Sequence, residues 1–229
     1  MDSTPTAASD AAAEANHRIA NTLAIIAGLI RSELLRLAPD ARTDLERMRI
    51  LLQQTSVRID ALGRLHRLLM DSARRDTVEI SAYLREVANA ATFSLTNKDQ
   101  KILCIFADEI TIPAKQATAI GLLVTEALVN SIKHANPPHH PTTIWITCKR
   151  PELTILRVEI IDDGVGAVLN LASADKPTAG NGLRLMRNIA HDLGGTLEFG
   201  GHADGQIVRL EVPLKPCRDR IDAIPEQCA

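Results

Sequence analysis

From Ile19 the apolar positions Ile19, Leu23, Ile26, Ile30, Leu34 and Leu37 recur at steps of three and four, a helical seam that ends at Pro39 and Asp40. A second seam follows at the same steps: Leu45, Met48, Leu52, Thr55, Ile59, Leu62, His66 and Leu69. Thr43, with Glu46 three residues on, supplies a capping box at its start. Two such helices joined by a short turn predict an antiparallel hairpin. Burying an aliphatic side chain is worth roughly 1.5–3 kcal/mol, so a hairpin with wet seams is unfavourable. Either two copies close a four-helix bundle through residues of about 14 to 72, or the hairpin packs on its own C-terminal domain. The homodimer is the expected arrangement.

Beyond a polar joint at Ser72 to Asp76 the pattern changes to mixed helix and strand. Residues 79–93 read as a helix and Lys101 to Ala107 as a strand. Pro113, suited to a first helical turn, opens an apolar helix to about Ala135. A loop with three prolines and two histidines follows, then strands near Thr142–Cys148 and Leu153–Ile161, and the turn Asp162 to Gly166. A small-residue loop, a helix from Leu183 to about Leu193, and strands near Thr196–Phe199 and Gln206–Val212 complete the domain. The expected division is a flexible N-terminus (1–13), a helical hairpin (14–75), an α/β domain (76–215) and a flexible tail (216–229).

Composition narrows the partners more than the fold. With 26 Lys and Arg against 28 Asp and Glu, the net charge of −2 makes no electrostatic case for nucleic acid. The longest apolar run, Leu23 to Ile30, is far short of the roughly 20 residues a spanning helix needs, so no membrane insertion is expected. Cys104, Cys148, Cys217 and Cys228 have no metal-ligand spacing, which fits a reducing, cytoplasmic compartment.

On the helix after Pro113, Glu126, Asn130 and either Lys133 or His134 fall four, then three or four, apart and share a face. An amide oxygen is a good magnesium ligand, and a cation beside it can neutralise phosphate. The row alone is also what a solvated helix face contains. The apolar strand into Asp162, Asp163, Gly164, Val165 and Gly166 puts a carboxylate at a strand end, where it can accept from an exocyclic amine. Gly180, Asn181, Gly182 and Leu183 then open a helix whose amides can bind phosphate. Neither a P-loop nor a dinucleotide fingerprint is present. In the first helix, Glu14, His17 and Asn21 share a face beside the seam. An unperturbed imidazole titrates near about 6.5, so a ring nitrogen is available as a nucleophile at neutral pH.

The order EALVNSIKH (126–134), DDGVG (162–166), GNGL (180–183) resembles the nucleotide-binding domain shared by histidine kinases, type II topoisomerases and related ATPases. EANHRIAN (14–21) looks like the phosphoacceptor box of the histidine kinase branch that contains the HWE kinases. The resemblance spans about 200 residues. It implies an α+β fold: a dimeric four-helix bundle followed by an α/β-sandwich, Bergerat-type ATP-binding domain. It also implies that Asp162 binds adenine, Asn130 holds Mg2+ against the phosphates of ATP, Glu126 assists there, and Gly180 and Gly182 hinge a lid. Lys133, His134, Gly164, Gly166 and Leu183 complete the implied nucleotide site.

His17 is then the implied phosphoacceptor, Glu14 its orienting carboxylate, and Asn21 an amide that positions water for phosphatase action. The partner is a response-regulator receiver domain, with a possible separate sensor protein. Three features depart from the pattern: Arg18 stands where most such kinases carry an acid, the lid region has no phenylalanine, and a Trp-x-Glu signature is missing, Arg157, Val158 and Glu159 occupying that region. The chain therefore sits beside the HWE branch, and the general base stays open. The alternative is a histidine phosphotransfer relay protein whose second domain does not bind ATP. A serine kinase of the same fold would have no use for the hairpin. The expectation is a cytoplasmic two-component histidine kinase.

Overall fold

The computed structural model describes residues 77–96, 98–134, 141–164, 181–202 and 205–214, with helical positions 27–28, 48, 52–53, 55–57, 59–61 and 63–64. From Thr77 the elements run β1 (Thr77–Glu79), α1 (Ile80–Leu95), β2 (Gln100–Phe106), β3 (Thr111–Pro113), α2 (Ala114–His134), β4 (Thr142–Glu152), β5 (Ile155–Asp162), α3 (Asn181–Asp192), β6 (Thr196–His202) and β7 (Gly205–Pro213).

Strand periodicity builds the main sheet. In β4, Thr142, Ile144, Ile146 and Cys148 are buried while the residues between them are not; in β5, Leu156, Val158, Ile160 and Asp162 continue the buried side. Alternation of this kind presses one face on a helix layer. The order is β2-β4-β5-β7-β6, with β2 parallel to β4 and every other pairing antiparallel. A parallel pair requires a crossover, which β3 and α2 supply. Tyr83, Leu84 and Val87 of α1, Ile120, Leu123 and Leu128 of α2, and Met186 of α3 meet the strands in one hydrophobic cluster. The result is a mixed α+β architecture.

Two features differ from the expected pattern. Pro113 is the last residue of β3 and not the first turn of α2. β3 pairs antiparallel with β1 in a separate two-stranded sheet, for which three-residue strands offer too little periodicity to read. That sheet leads directly into α1, where the Glu79 carboxylate caps the helix by accepting from the amides of Ser81, at 2.7 Å, and Ala82, at 2.5 Å.

The other face of the main sheet carries two registers. Leu103, Trp145, Ile161 and Ile207 lie side by side across four strands, and Thr147, Glu159, Arg209 and Glu198 form the neighbouring row. Glu159 is 6% exposed and accepts from Arg209 Nε at 2.7 Å, Lys149 Nζ at 3.1 Å and the Thr147 hydroxyl at 3.2 Å. Burial alone would raise its carboxyl, but these bonds hold it below its usual range.

Within 52–64 the described positions are helical and use two sides. Val57 and Ala61 are buried in the same cluster as α1, and Arg64 Nη1 pairs with Glu86 Oε2 at 2.5 Å. Leu52 and Ile59, seven residues apart, are 63% and 48% exposed. Apart from the helical positions 27–28 and 48, the rest of the predicted hairpin lies outside the described residues. No described helix is long and apolar enough to cross a membrane.

Candidate functional site

Asp162 ends β5 in phase with Leu156, Val158 and Ile160, so strand alternation carries its carboxylate under the helix layer, where it is 4% exposed. It accepts from the amides of Gly164 and Gln206, each at 3.3 Å, and from the Ser131 hydroxyl on α2. Burial pushes the Asp162 carboxyl above its usual range, those bonds pull it back, and the charge of Asp163 adds to the rise. Asp163 is committed elsewhere: its Oδ1 accepts from Thr143 N at 2.6 Å and its own amide donates to Thr143 O at 3.2 Å. Of the two neighbouring aspartates, only Asp162 is turned inward.

Gly205 holds the far side of this carboxylate. Its φ of 143° lies where side chains are strained, and a Cβ there would stand 1.8 Å from the Asp162 carbonyl oxygen. The backbone of β7 can therefore close on β5 at Asp162, which places the Gln206 amide on the carboxylate.

The second half of the site is the contact between α2 and α3. Glu126 is 2% exposed and Asn130 half-buried, one turn further along the same face of α2. A Cβ on Gly182, in the first turn of α3, would stand 3.1 Å from Glu126 Oε2 and 3.8 Å from Asn130 Nδ2. The absence of a side chain thus lets the N-terminal turn of α3 sit against an acid and an amide.

The structure accordingly brings together Glu126, Asn130 and Gly182, and places Asp162 with the buried Gly164 at the end of the neighbouring strand. Lys133 is exposed near the end of α2, His134 is its last residue, and Leu183 packs half-buried against the core. Glu14, His17, Asn21, Gly166 and Gly180 lie outside the described residues. Among the described residues no cluster of three or more His, Cys, Asp or Glu could hold a metal; a magnesium held by one amide and phosphate oxygens would need none. The free thiols Cys104 and Cys148 are poor nucleophiles, burial pushing Cys148 up to about 12 with help from Glu79 and Asp108.

Sequence reasoning missed Ser131, Gly205 and Gln206. A signal for the first was present: Ser131 falls in line with Val124, Ala127 and Leu128, all buried, and a polar side chain on an apolar stripe needs a partner. The second pair looks like an ordinary Asp-Gly hairpin turn, and its proximity to Asp162 depends on a pairing 44 residues apart.

Comparison with known families identifies this architecture as a sensor-type histidine kinase core. A model described as histidine kinase matches residues 14–95, one described as histidine kinase-like ATPase domain matches residues 98–212, and the chain belongs to the histidine kinase family. The two domains are those of a protein-histidine kinase. Among its relatives is the "Blue-light-activated histidine kinase 2" of Erythrobacter litoralis, 28% identical over 88% of this chain; the chain spans 56% of that protein. The solved structure of an Erythrobacter litoralis blue-light activated histidine kinase superposes with a TM-score of 0.70 at 26% identity, covering 93% of this chain and 62% of that one. The histidine kinase domain of such a protein from the same organism gives a TM-score of 0.62, also at 26% identity, covering 83% of this chain and 96% of that one.

Proposed function

We propose that this chain transfers the terminal phosphoryl group of Mg-ATP to its own His17 and then to an aspartate of a response-regulator receiver domain. Asp162 would accept from the adenine amine, and Asn130 would hold magnesium against the phosphates with Glu126 beside it. Gly164, Gly166, Gly180, Gly182, Leu183, Lys133 and His134 would line the remainder. Magnesium held there would supply positive charge to neutralise the charge that develops on the phosphate oxygens. A neutral His17 ring nitrogen attacks the γ-phosphorus in line, the bond to the β–γ bridging oxygen breaks, and ADP leaves. The receiver carboxylate then takes the phosphoryl group from phosphohistidine. Glu14 would orient the imidazole, and Asn21 would position water for the reverse, phosphatase reaction.

The observation that carries this reading is the buried, inward-facing Asp162, bonded to Ser131 on the same helix whose Glu126 and Asn130 meet Gly182 of α3. A base-reading acceptor and a phosphate-and-metal end are what a nucleoside triphosphate requires. The dimer is part of the proposal, supported by the exposed Leu52 and Ile59 at heptad spacing.

The test incubates the purified chain with γ-labelled ATP and magnesium beside His17→Ala and Asn130→Ala. Acid-labile, alkali-stable label in the wild type alone is the expected result. An unlabelled wild type that accepts phosphoryl from a phosphorylated receiver domain would instead make the chain a phosphotransfer relay.

A further inference from the structure

We propose that Ser131 is a positioning residue for the nucleobase, fixing Asp162 as an acceptor and so making the site selective for a purine that presents an exocyclic amine over one that presents a carbonyl. The inference rests on the reading of Asp162 as the group that meets the base, and it deepens that reading by assigning discrimination to a residue on a different element.

Three donors converge on the Asp162 carboxylate, and they are not equivalent. The amides of Gly164 and Gln206 reach it at 3.3 Å each, at the long end of the hydrogen-bond range, and as backbone groups they are available whatever side chain stands there. The third donor, the Ser131 hydroxyl, belongs to a residue 7% exposed on α2, immediately after Asn130 and about 100° around the helix from it. α2 thus presents Asn130 to α3 and Ser131 to β5, tying the phosphate end of the proposed site to its base end through two adjacent residues.

A carboxyl group can take two opposite roles here. Ionised, it only accepts, which matches an amine; protonated, it donates, which matches a carbonyl. Its surroundings pull in both directions: burial favours the neutral acid, and Asp163 at the end of β5 adds repulsion. Among the described side chains of α2, Glu126 and Lys133 are the ionisable groups within five residues of Ser131, and Gln206 and Ile207 face β5 from β7 as neutral residues. The hydroxyl of Ser131 is therefore the side-chain contribution that favours the accepting form. Inosine triphosphate presents a carbonyl where ATP presents its amine, so the ratio of their affinities reports which form the site displays.

The experiment measures equilibrium binding of Mg-ATP and Mg-inosine triphosphate to the full chain, to Ser131→Ala and to Ser131→Thr, across a pH series. Ser131→Ala is expected to bind ATP about tenfold more weakly, the loss of one hydrogen bond to a charged acceptor. Its affinity for inosine triphosphate should stay near wild type, and the acid limb of its ATP binding should move to higher pH. Ser131→Thr, which keeps the hydroxyl, is expected to restore the ratio. In labelling kinetics KM for ATP should rise with kcat retained, and carboxyl-carbon NMR without nucleotide should show Asp162 titrating at higher pH in Ser131→Ala. Equal losses for both nucleotides, or an unchanged ratio, would overturn the role of Ser131. Asp162→Asn separates the two levels. If it leaves ATP binding intact, the base-reading assignment of Asp162 fails and this inference with it; if it abolishes binding while Ser131→Ala leaves the ratio unchanged, only Ser131 is misassigned.

Discussion

Asp162 is held at a stability cost. Its carboxyl is raised on folding, so its contribution to stability is full at low pH and is lost as pH rises through the folded-state value. Asp162→Asn removes the buried charge and keeps an acceptor oxygen. It is expected to melt at a higher temperature than wild type near neutrality, with the gap closing at acid pH, while ATP binding disappears; calorimetry across pH reads the first and equilibrium binding the second. Gly205→Ala should act in the opposite sense, since its backbone angle and the Asp162 carbonyl both reject a Cβ. A loss of about 1–3 kcal/mol in denaturant titration is expected, with weakened nucleotide binding. At this scale the sequence was legible where chemistry is local: Glu126 and Asn130 fall on one face by helical arithmetic alone. It was silent where a site residue is delivered by a distant strand, as Gln206 is. The residue types at the turn do not separate Asp162 from Asp163; the family resemblance singled out Asp162, and register turns that one inward while pinning Asp163 to Thr143.

Among the elements, the strands with period-two burial and the two long apolar helices could be read from their patterns to within a few residues. β1 and β3 could not, because three residues do not establish a period, and Pro113 looked like a helix start for the same reason it suits a strand end: both leave its missing N–H unneeded. The polar row on the outer sheet face also depends on pairing. Glu159 joins β4 through Lys149 and Thr147 to β7 through Arg209, and its carboxyl is depressed by those bonds against the opposing effect of burial. A depressed carboxyl stabilises above its unfolded-state value, and that stability is lost as pH falls through the folded one. Glu159→Gln is expected to lower stability at neutral pH by roughly 1–3 kcal/mol and to flatten the acid side of the stability profile, measured by urea midpoints at several pH values.

For the molecule as a whole, the two alternatives for the N-terminal seam need not exclude one another. The described helical positions within 52–64 set Val57, Ala61 and Arg64 against the cluster that contains α1, and leave Leu52 and Ile59 to solvent. Seam analysis selected Leu52 and Ile59 and passed over Val57 and Ala61, because a small residue and an off-phase valine carry little weight in a heptad pattern. In the proposed dimer, Leu52→Glu with Ile59→Glu is expected to give a monomer by sedimentation equilibrium while the melting of the second domain is retained. Glu86→Ala should leave the oligomer intact and cost no more than about 1 kcal/mol, since both ends of its ion pair with Arg64 are partly wet.

The pairing of β5 with β7 also sets the order in which the protein can be made. Residues 155–162 pair on one side with β4, already made, but find their second partner only among 206–213, and the amide that closes on Asp162 comes from Gln206. A chain emerging from the ribosome can form α1, β2 and α2 first, but the proposed base-binding end has no second wall until β7 arrives. The proposed nucleotide competence is therefore gained only after β7 has followed β5 into place.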